Sequence, residues 1–296
     1  EDKLQVLNES SGKPYLLKID DSIEEDPEIS SQLAAYTEEL DQYLAELTEG
    51  KYTSLTEPAF SLGFPVSSKP EMSETQFGNL LTDAMRLGVE DITGKPVDFA
   101  FEANGLIRRG LIPGKTSWGK HKVSFYQLAA AAGLGTGPDQ RPGYPLVEVY
   151  LTGAEVKNIL NISVLLSDLW GDNYYLQTSG LRYKYDPRRA VLFNIPVINK
   201  PIPTGRAVLS AERYTDYGVQ SDNPEDYQPL LKKDKNLYRV VTDYYLIQFL
   251  PRVGEVVPSL KLELKKEDGT LLTGREEAII RHENRELKVW QALFHY

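Results

Sequence analysis

The sequence predicts an α+β fold. Strand-like and helix-like segments interleave, several strands are neighbours in the chain, and no regular strand–helix–strand series runs through it. Composition supports a packed domain: 41% of the 296 residues are hydrophobic and 10% are aromatic, which is ample for a core. Apolar residues also recur in separate blocks with either helical or alternating spacing.

Residues 1–26 are polar and acidic and form an N-terminal extension with a strand expected at Tyr15–Ile19. From Pro27, apolar residues at Ile29, Leu33, Tyr36, Leu40, Tyr43 or Leu44 and Leu47 step by threes and fours, predicting a helix with one apolar stripe. Ser22 or Asp26 suits its cap and Gly50 its end. Such a stripe serves either core packing or docking on a neighbouring domain. Residues 27–64 are thus a linker helix and connection, and 65–296 the main domain.

A second helix is expected from Glu74 to Gly88, with Phe77, Leu80, Leu81, Ala84, Met85 and Leu87 inward. Val97–Phe101 alternates like a strand, and Asn104-Gly105 turns the chain after it. Tyr126–Ala132 reads as a short helix, Leu146–Leu151 as a strand, and Gly153 to Leu166 as a helix. Strands follow at 181–185, 206–209 and 237–242, then a helix from Tyr244 to Leu250 stopped by Pro251. The tail Glu286–Phe294 has an amphipathic helical pattern. Segments 137–145 and 187–230, rich in Pro, Asp and Tyr, read as long loops.

Composition excludes several functions. A net charge of −10 with no basic stripe argues against nucleic acid as a partner, although one arginine can still hold one small anion. No apolar run is long enough to span a bilayer, so no membrane insertion is expected. The absence of cysteine removes disulfides, thiolate nucleophiles and Cys-bound zinc. The chain opens at Glu1 rather than Met, as expected of a trimmed or excised piece.

Short motifs add little. Gly110–Thr116 is one residue short of a phosphate loop and follows an arginine-rich segment that is a poor buried strand; a turn at Pro113-Gly114 explains it. Gly133–Pro138 has neither the strand before it nor the long helix after it that a dinucleotide site needs. No Gly-x-Ser-x-Gly elbow occurs. Only His121, His282 and His295 are present, too few and too scattered for a two-metal cage.

A series of segments carries more information. Gly78-Asn79-Leu80 with Asp83-Ala84 comes first, then Gly105 with Ile107-Arg108, Leu151-Thr152-Gly153, Ser179–Tyr183 and Tyr238–Val241. In that order, over about residues 70–250, they resemble the C-terminal domain of the 5'-nucleotidase and UDP-sugar hydrolase family. The resemblance implies an α+β domain of mixed sheet layers flanked by helices. It also implies the substrate-recognition half of an exported, extracytoplasmic phosphoester hydrolase. That half grips a nucleotide or nucleoside while an N-terminal metallophosphatase domain, the partner, does the chemistry. The family's metal-binding Asp-x-His, Gly-Asn-His and Gly-His-x-His segments do not occur here. Divalent metals are therefore expected only in that other domain, this chain should need no cofactor of its own, and alone it should show no phosphatase activity.

The resemblance assigns substrate-binding roles to four positions. Arg108 stands at the Ile-Arg position, where a guanidinium makes paired hydrogen bonds to an anion or sugar. Tyr245 stands where the second base-stacking ring belongs, and stacking contributes ~1–3 kcal/mol per base. Leu134 occupies the place of the first ring, and Asn104 lies one residue after the family's asparagine, at Ala103. Beside the missing ring at Gly133-Leu134, two more departures weaken the pocket: Glu71 replaces an arginine, and Phe249–Arg252 replaces Gly-Gly-Asp-Gly. These departures also favour an alternative, a non-enzymatic surface or interaction domain that kept the fold and lost the pocket. A self-contained enzyme with an unfamiliar site is a third reading.

Overall fold

The computed structural model describes residues 23–69, 71–114, 120–195, 200–216, 218–256 and 262–296. The strand expected at Tyr15–Ile19 lies outside them. The chain divides into two compact units between Glu57 and Pro58. In the first, helix α1 runs from Pro27 to Leu47, with the Asp26 side chain accepting from the Glu28 and Ile29 amides. Gly50 closes the helix in the left-handed region, at φ 80°. The stripe does not form a core: Leu44 is buried, but Leu33, Tyr36 and Leu40 are 50–63% exposed.

The second unit is built on a four-stranded mixed sheet. Its order is β4 (Leu146–Thr152), β11 (Leu237–Asp243), β2 (Phe99–Ala103) and β5 (Leu176–Ser179). β11 and β2 are parallel, whereas the outer pairings are antiparallel. A three-stranded antiparallel sheet joins β10 (Tyr227–Pro229), β9 (Val208–Tyr214) and β6 (Leu181–Tyr185). Among the described residues three two-stranded pairs complete the strands: β1 (Pro58–Ser61) with β3 (Lys122–Ser124), β7 (Val191–Ile195) with β8 (Lys200–Pro203), and β12 (Arg281–His282) with β13 (Arg285–Glu286). The fold is α+β, as the sequence predicts. The segment 187–230, expected to be mostly loop, instead carries β7 to β10.

Helices cover the sheets. The helix expected from Glu74 begins at Gln76 and continues past Gly88: α2 (Gln76–Asp83) passes through a π turn (Ala84–Gly88) into α3 (Val89–Thr93), ended by Gly94 at φ 67°. Phe77, Leu81, Ala84 and Met85 are buried, as the spacing predicts. Ser124 and Gln127 form a capping box on α4 (Phe125–Ala132), and Thr152 with Glu155 forms another on α5 (Gly153–Trp170). The core between the main sheet and α5 includes Phe99, Phe101, Val149, Leu151, Val156 and Leu160.

Two boundaries differ from expectation. Helix α6 (Tyr244–Val256) continues through Pro251. An interior proline removes one hydrogen bond and crowds the carbonyl four residues earlier, which kinks a helix without having to end it. The tail is not one helix from Glu286: β12 and β13 form a hairpin whose turn residues, Glu283 and Asn284, both have positive φ, and α7 spans only Val289–His295. There Trp290 and Phe294 pack on Phe125, with ring centroids 6.0 and 4.2 Å apart.

Candidate functional site

Strand β2 ends in a short 3-10 turn, Asn104–Leu106, that leads to Arg108. Asn104 is buried and its amide is fully engaged. Both hydrogens are donated, to the carbonyls of Glu71 and Asp172 at 3.0 Å, and its oxygen accepts from Gln177 Nε2 at 2.7 Å. Gln177 in turn accepts from the Thr75 amide and lies against Gly78, where a Cβ would come 2.3 Å from its oxygen. The Gly78 and Asn104 motif positions therefore interlock through one buried glutamine. With no N–H left to offer, Asn104 positions the turn and does not itself present a donor to a ligand.

Arg108 is exposed. Its amide donates to Ala131 O at the end of α4, and Nη1 reaches only Gly105 O, at 3.3 Å. Among the described residues no carboxylate pairs with it. Three residues beyond Ala131, half-buried Leu134 accepts at its carbonyl from the Tyr144 amide, 2.9 Å away. Gly135 has φ 76°, and a Cβ there would lie 2.2 Å from the Tyr144 ring, so only glycine lets that ring fold over the turn. The Tyr144 ring meets Tyr245 at 5.5 Å between centroids, tilted by 37°. Tyr245 is 39% exposed in the first turn of α6. Arg108 and Leu134 thereby flank the C-terminal end of α4, and Tyr245 is linked to Leu134 through Tyr144.

The sequence reading missed Tyr144. Its signal was an aromatic ring in Gly143-Tyr144-Pro145, just before strand β4. Its packing on Tyr245 leaves no slot for a base between the two rings, so a flat ligand would stack on an outer face.

Beneath these groups two carboxyls lie side by side, Glu102 on β2 and Asp243 on β11, 2% and 1% exposed. The parallel register that pairs Val241 with Ala100 brings them level. Burial, then the charge of Asp243, holds the Glu102 carboxyl well above its usual range. Burial likewise pushes Asp243 up to about 7, against the hydrogen bonds it accepts from Glu102 and the α6 amides. Asp243 Oδ1 caps that helix by accepting from Leu246 N at 2.7 Å. A folded pair that keeps its protons stabilises the protein fully below the ordinary carboxylate range, and that contribution is lost as pH rises from about 4 through about 7. Glu102→Gln, which cannot ionise but can still donate to Asp243, should reduce this slope by removing Glu102's share and leaving that of Asp243. Urea unfolding at about pH 5 and about pH 8 measures it, and an unchanged wild-type slope in the variant would refute a proton held on Glu102 in the fold.

Among the described residues no three His, Asp or Glu side chains converge to hold a metal ion, and no helix is long and apolar enough to cross a membrane. An apolar cavity of about 110 Å³ lies between α5, α6 and the main sheet, and among the described residues no charged side chain lines it.

A sequence profile of the 5'-nucleotidase C-terminal domain matches residues 53–248, about two thirds of the chain and the stretch that holds all four positions. The chain belongs to the 5'-nucleotidase C-terminal domain family. The 5'-nucleotidase precursor of Thermus thermophilus shares its fold, with a TM-score of 0.51 at 19% identity over 90% of this chain. This chain spans only 39% of that protein. Weaker likenesses join it to the NAD nucleotidase of Haemophilus influenzae (TM-score 0.42, 17% identity, 79% of this chain and 34% of the other). The sulfate thiohydrolase SoxB of Thermus thermophilus is similar at the same level (0.46, 17%, 87% and 35%). No curated protein matches the sequence.

Proposed function

We propose that this 5'-nucleotidase C-terminal domain is the substrate-holding half of an exported phosphoester hydrolase, taking the nucleoside or nucleotide end of its substrate. The supporting observation is the exposed Arg108 guanidinium, which has no carboxylate partner among the described residues; its backbone is tied to the end of α4, and the turn after that helix is tied through Leu134 to Tyr144, whose ring meets Tyr245. A free guanidinium offers paired donors to a phosphate, and the tyrosine faces offer a platform for a base. Metal-assisted hydrolysis belongs to a separate domain, and the cysteine-free sequence suits an exported protein. The test is calorimetric titration with AMP and adenosine. Arg108→Ala should weaken AMP about tenfold or more and leave adenosine within about twofold, since a charge-assisted hydrogen bond contributes about 1.5–3 kcal/mol. Equal losses for both ligands would remove Arg108 from phosphate recognition.

On this reading, the exposed α1 stripe is the face that meets the metal-bearing domain. Leu33→Asp with Leu40→Asp should then abolish co-purification of the two domains without lowering the Tm of this chain; undiminished association would place the contact elsewhere.

The alternative, an interaction domain without a ligand, is favoured by one observation, the closed gap between Tyr144 and Tyr245. It predicts no saturable nucleotide binding at millimolar concentration.

A further inference from the structure

A cavity of about 670 Å³ lies between α5 and the 204–209 segment that leads from β8 into β9. It shares no lining residue with the Arg108–Tyr245 region. Four basic side chains line it: Lys157 on α5, Arg189 at the end of a 3-10 turn (Pro187–Arg189), Arg206 and Lys232. Among the described residues no carboxylate and no aromatic ring does so.

The frame that carries these charges is well tied. Asn161 is buried and donates to Lys157 O at 2.8 Å while accepting from Val208 N at 3.0 Å, which joins α5 to β9. Thr204 accepts from the Arg206 amide at 3.0 Å and donates its hydroxyl to Arg189 O, so one turn carries both arginines. On the other side, Asp234 O accepts from the Ala154 amide at 3.2 Å and fastens the turn that holds Lys232 to the start of α5.

The charges themselves have no partners. Among the described residues none of the four basic side chains makes an ion pair or a hydrogen bond, and neither does the Asn158 amide beside them. The neighbouring carboxylates are committed elsewhere: Asp186 to Arg188, Glu155 to Lys265 and Asp234 to the Tyr238 hydroxyl. Lys157 is half-buried, and burial, then the charge of Lys232, holds its ammonium below the usual lysine range with no carboxylate opposing the shift. A hollow walled by one sign of charge concentrates its field and draws in a counter-ion. The chain as a whole carries a net charge of −10, so this grouping is local and not part of a basic surface.

We propose that this cavity binds a compact diphosphate, one phosphate group facing Arg189 and Arg206 and the other facing Lys157 and Lys232. Arginine offers paired donors to a phosphate and lysine a point charge, so the set suits two linked anionic groups. With no ring to stack on, a nucleobase adds nothing here, which separates this site from the face at Arg108.

The test is titration of the full chain with inorganic pyrophosphate, followed by amide NMR shifts, beside orthophosphate, ADP and phosphatidylglycerol vesicles. Pyrophosphate should saturate at millimolar concentration or below, with shifts centred on Lys157, Asn158, Gly205 and Arg206. Orthophosphate, lacking the second group, should bind at least about tenfold more weakly, and at these amides ADP should bind no more tightly than pyrophosphate. Lys157→Met and Arg206→Gln should each lower pyrophosphate affinity about threefold to tenfold, and neither should lower the Tm, because each removes a repelled charge. Arg206 is exposed, so its variant reports independently of any change in α5. Absence of pyrophosphate saturation, with or without binding to vesicles, would overturn the assignment. So would shifts centred on residues 105–108, orthophosphate equal to pyrophosphate, tighter ADP at these amides, or full affinity in either variant.

Discussion

Lys288→Met is expected to cost about 3–5 kcal/mol of stability, as loss of one partner from a buried ion pair does. Lys288 is 3% exposed, and its ammonium reaches Asp139 Oδ1 at 2.7 Å and Glu286 Oε2 at 2.8 Å. Methionine fills the same volume but leaves the Glu286 carboxylate, 5% exposed, without its cation. The damage should reach the candidate site. Glu286 also holds the Asp139 amide, and Val289 N donates to Tyr144 O, so these contacts fix the 137–145 segment that presents Tyr144. Thermal unfolding should show a Tm lower by roughly 6–20 °C, and nucleotide affinity should fall with it. A loss under about 1 kcal/mol would mean that the buried pair is solvated or replaceable.

Gly180→Ala is expected to be comparably severe, at roughly 2–5 kcal/mol, the sum of left-handed backbone strain and overpacking. Gly180 has φ 86°, and a Cβ there would lie 1.9 Å from Asp98 O, a backbone atom with little freedom to retreat. The residue is the single link between β5 and β6, where the chain leaves one sheet for the other. Its amide donates to Gln220 Oε1 and its carbonyl accepts from Tyr214 N, so displacement would also unpair the start of β6. Urea unfolding checks the size, and near-wild-type stability would show that the sheets can shift apart at this joint.

Legibility in the sequence followed burial chemistry. Leu146–Thr152 alternates, and Thr152 with Glu155 signals the helix that follows, so β4 and α5 were readable. Strand β5 was not, because Leu-Gln-Thr-Ser buries Gln177 and Ser179, residues that sequence patterns assign to turns. Prolines within 187–230 suggested loop, although Pro201, Pro203 and Pro229 sit in short or edge strands where a missing N–H is tolerated. Among the site residues, Arg108 and Tyr245 were marked by their motif context. Asn104 was marked too, but its inward-facing hydrogen bonds are tertiary and leave no trace in spacing. Glu102 and Asp243 could not be singled out among 43 acidic residues, because only the parallel register of β2 and β11 brings them together.

The most direct test of the account is amide NMR of the full chain titrated with AMP. Saturable shifts confined to residues 105–108, Leu134, Tyr144 and Tyr245, and lost in Arg108→Ala, are the predicted result. Saturable shifts centred elsewhere, or none at millimolar AMP, would contradict a nucleotide-holding role for this face of the domain.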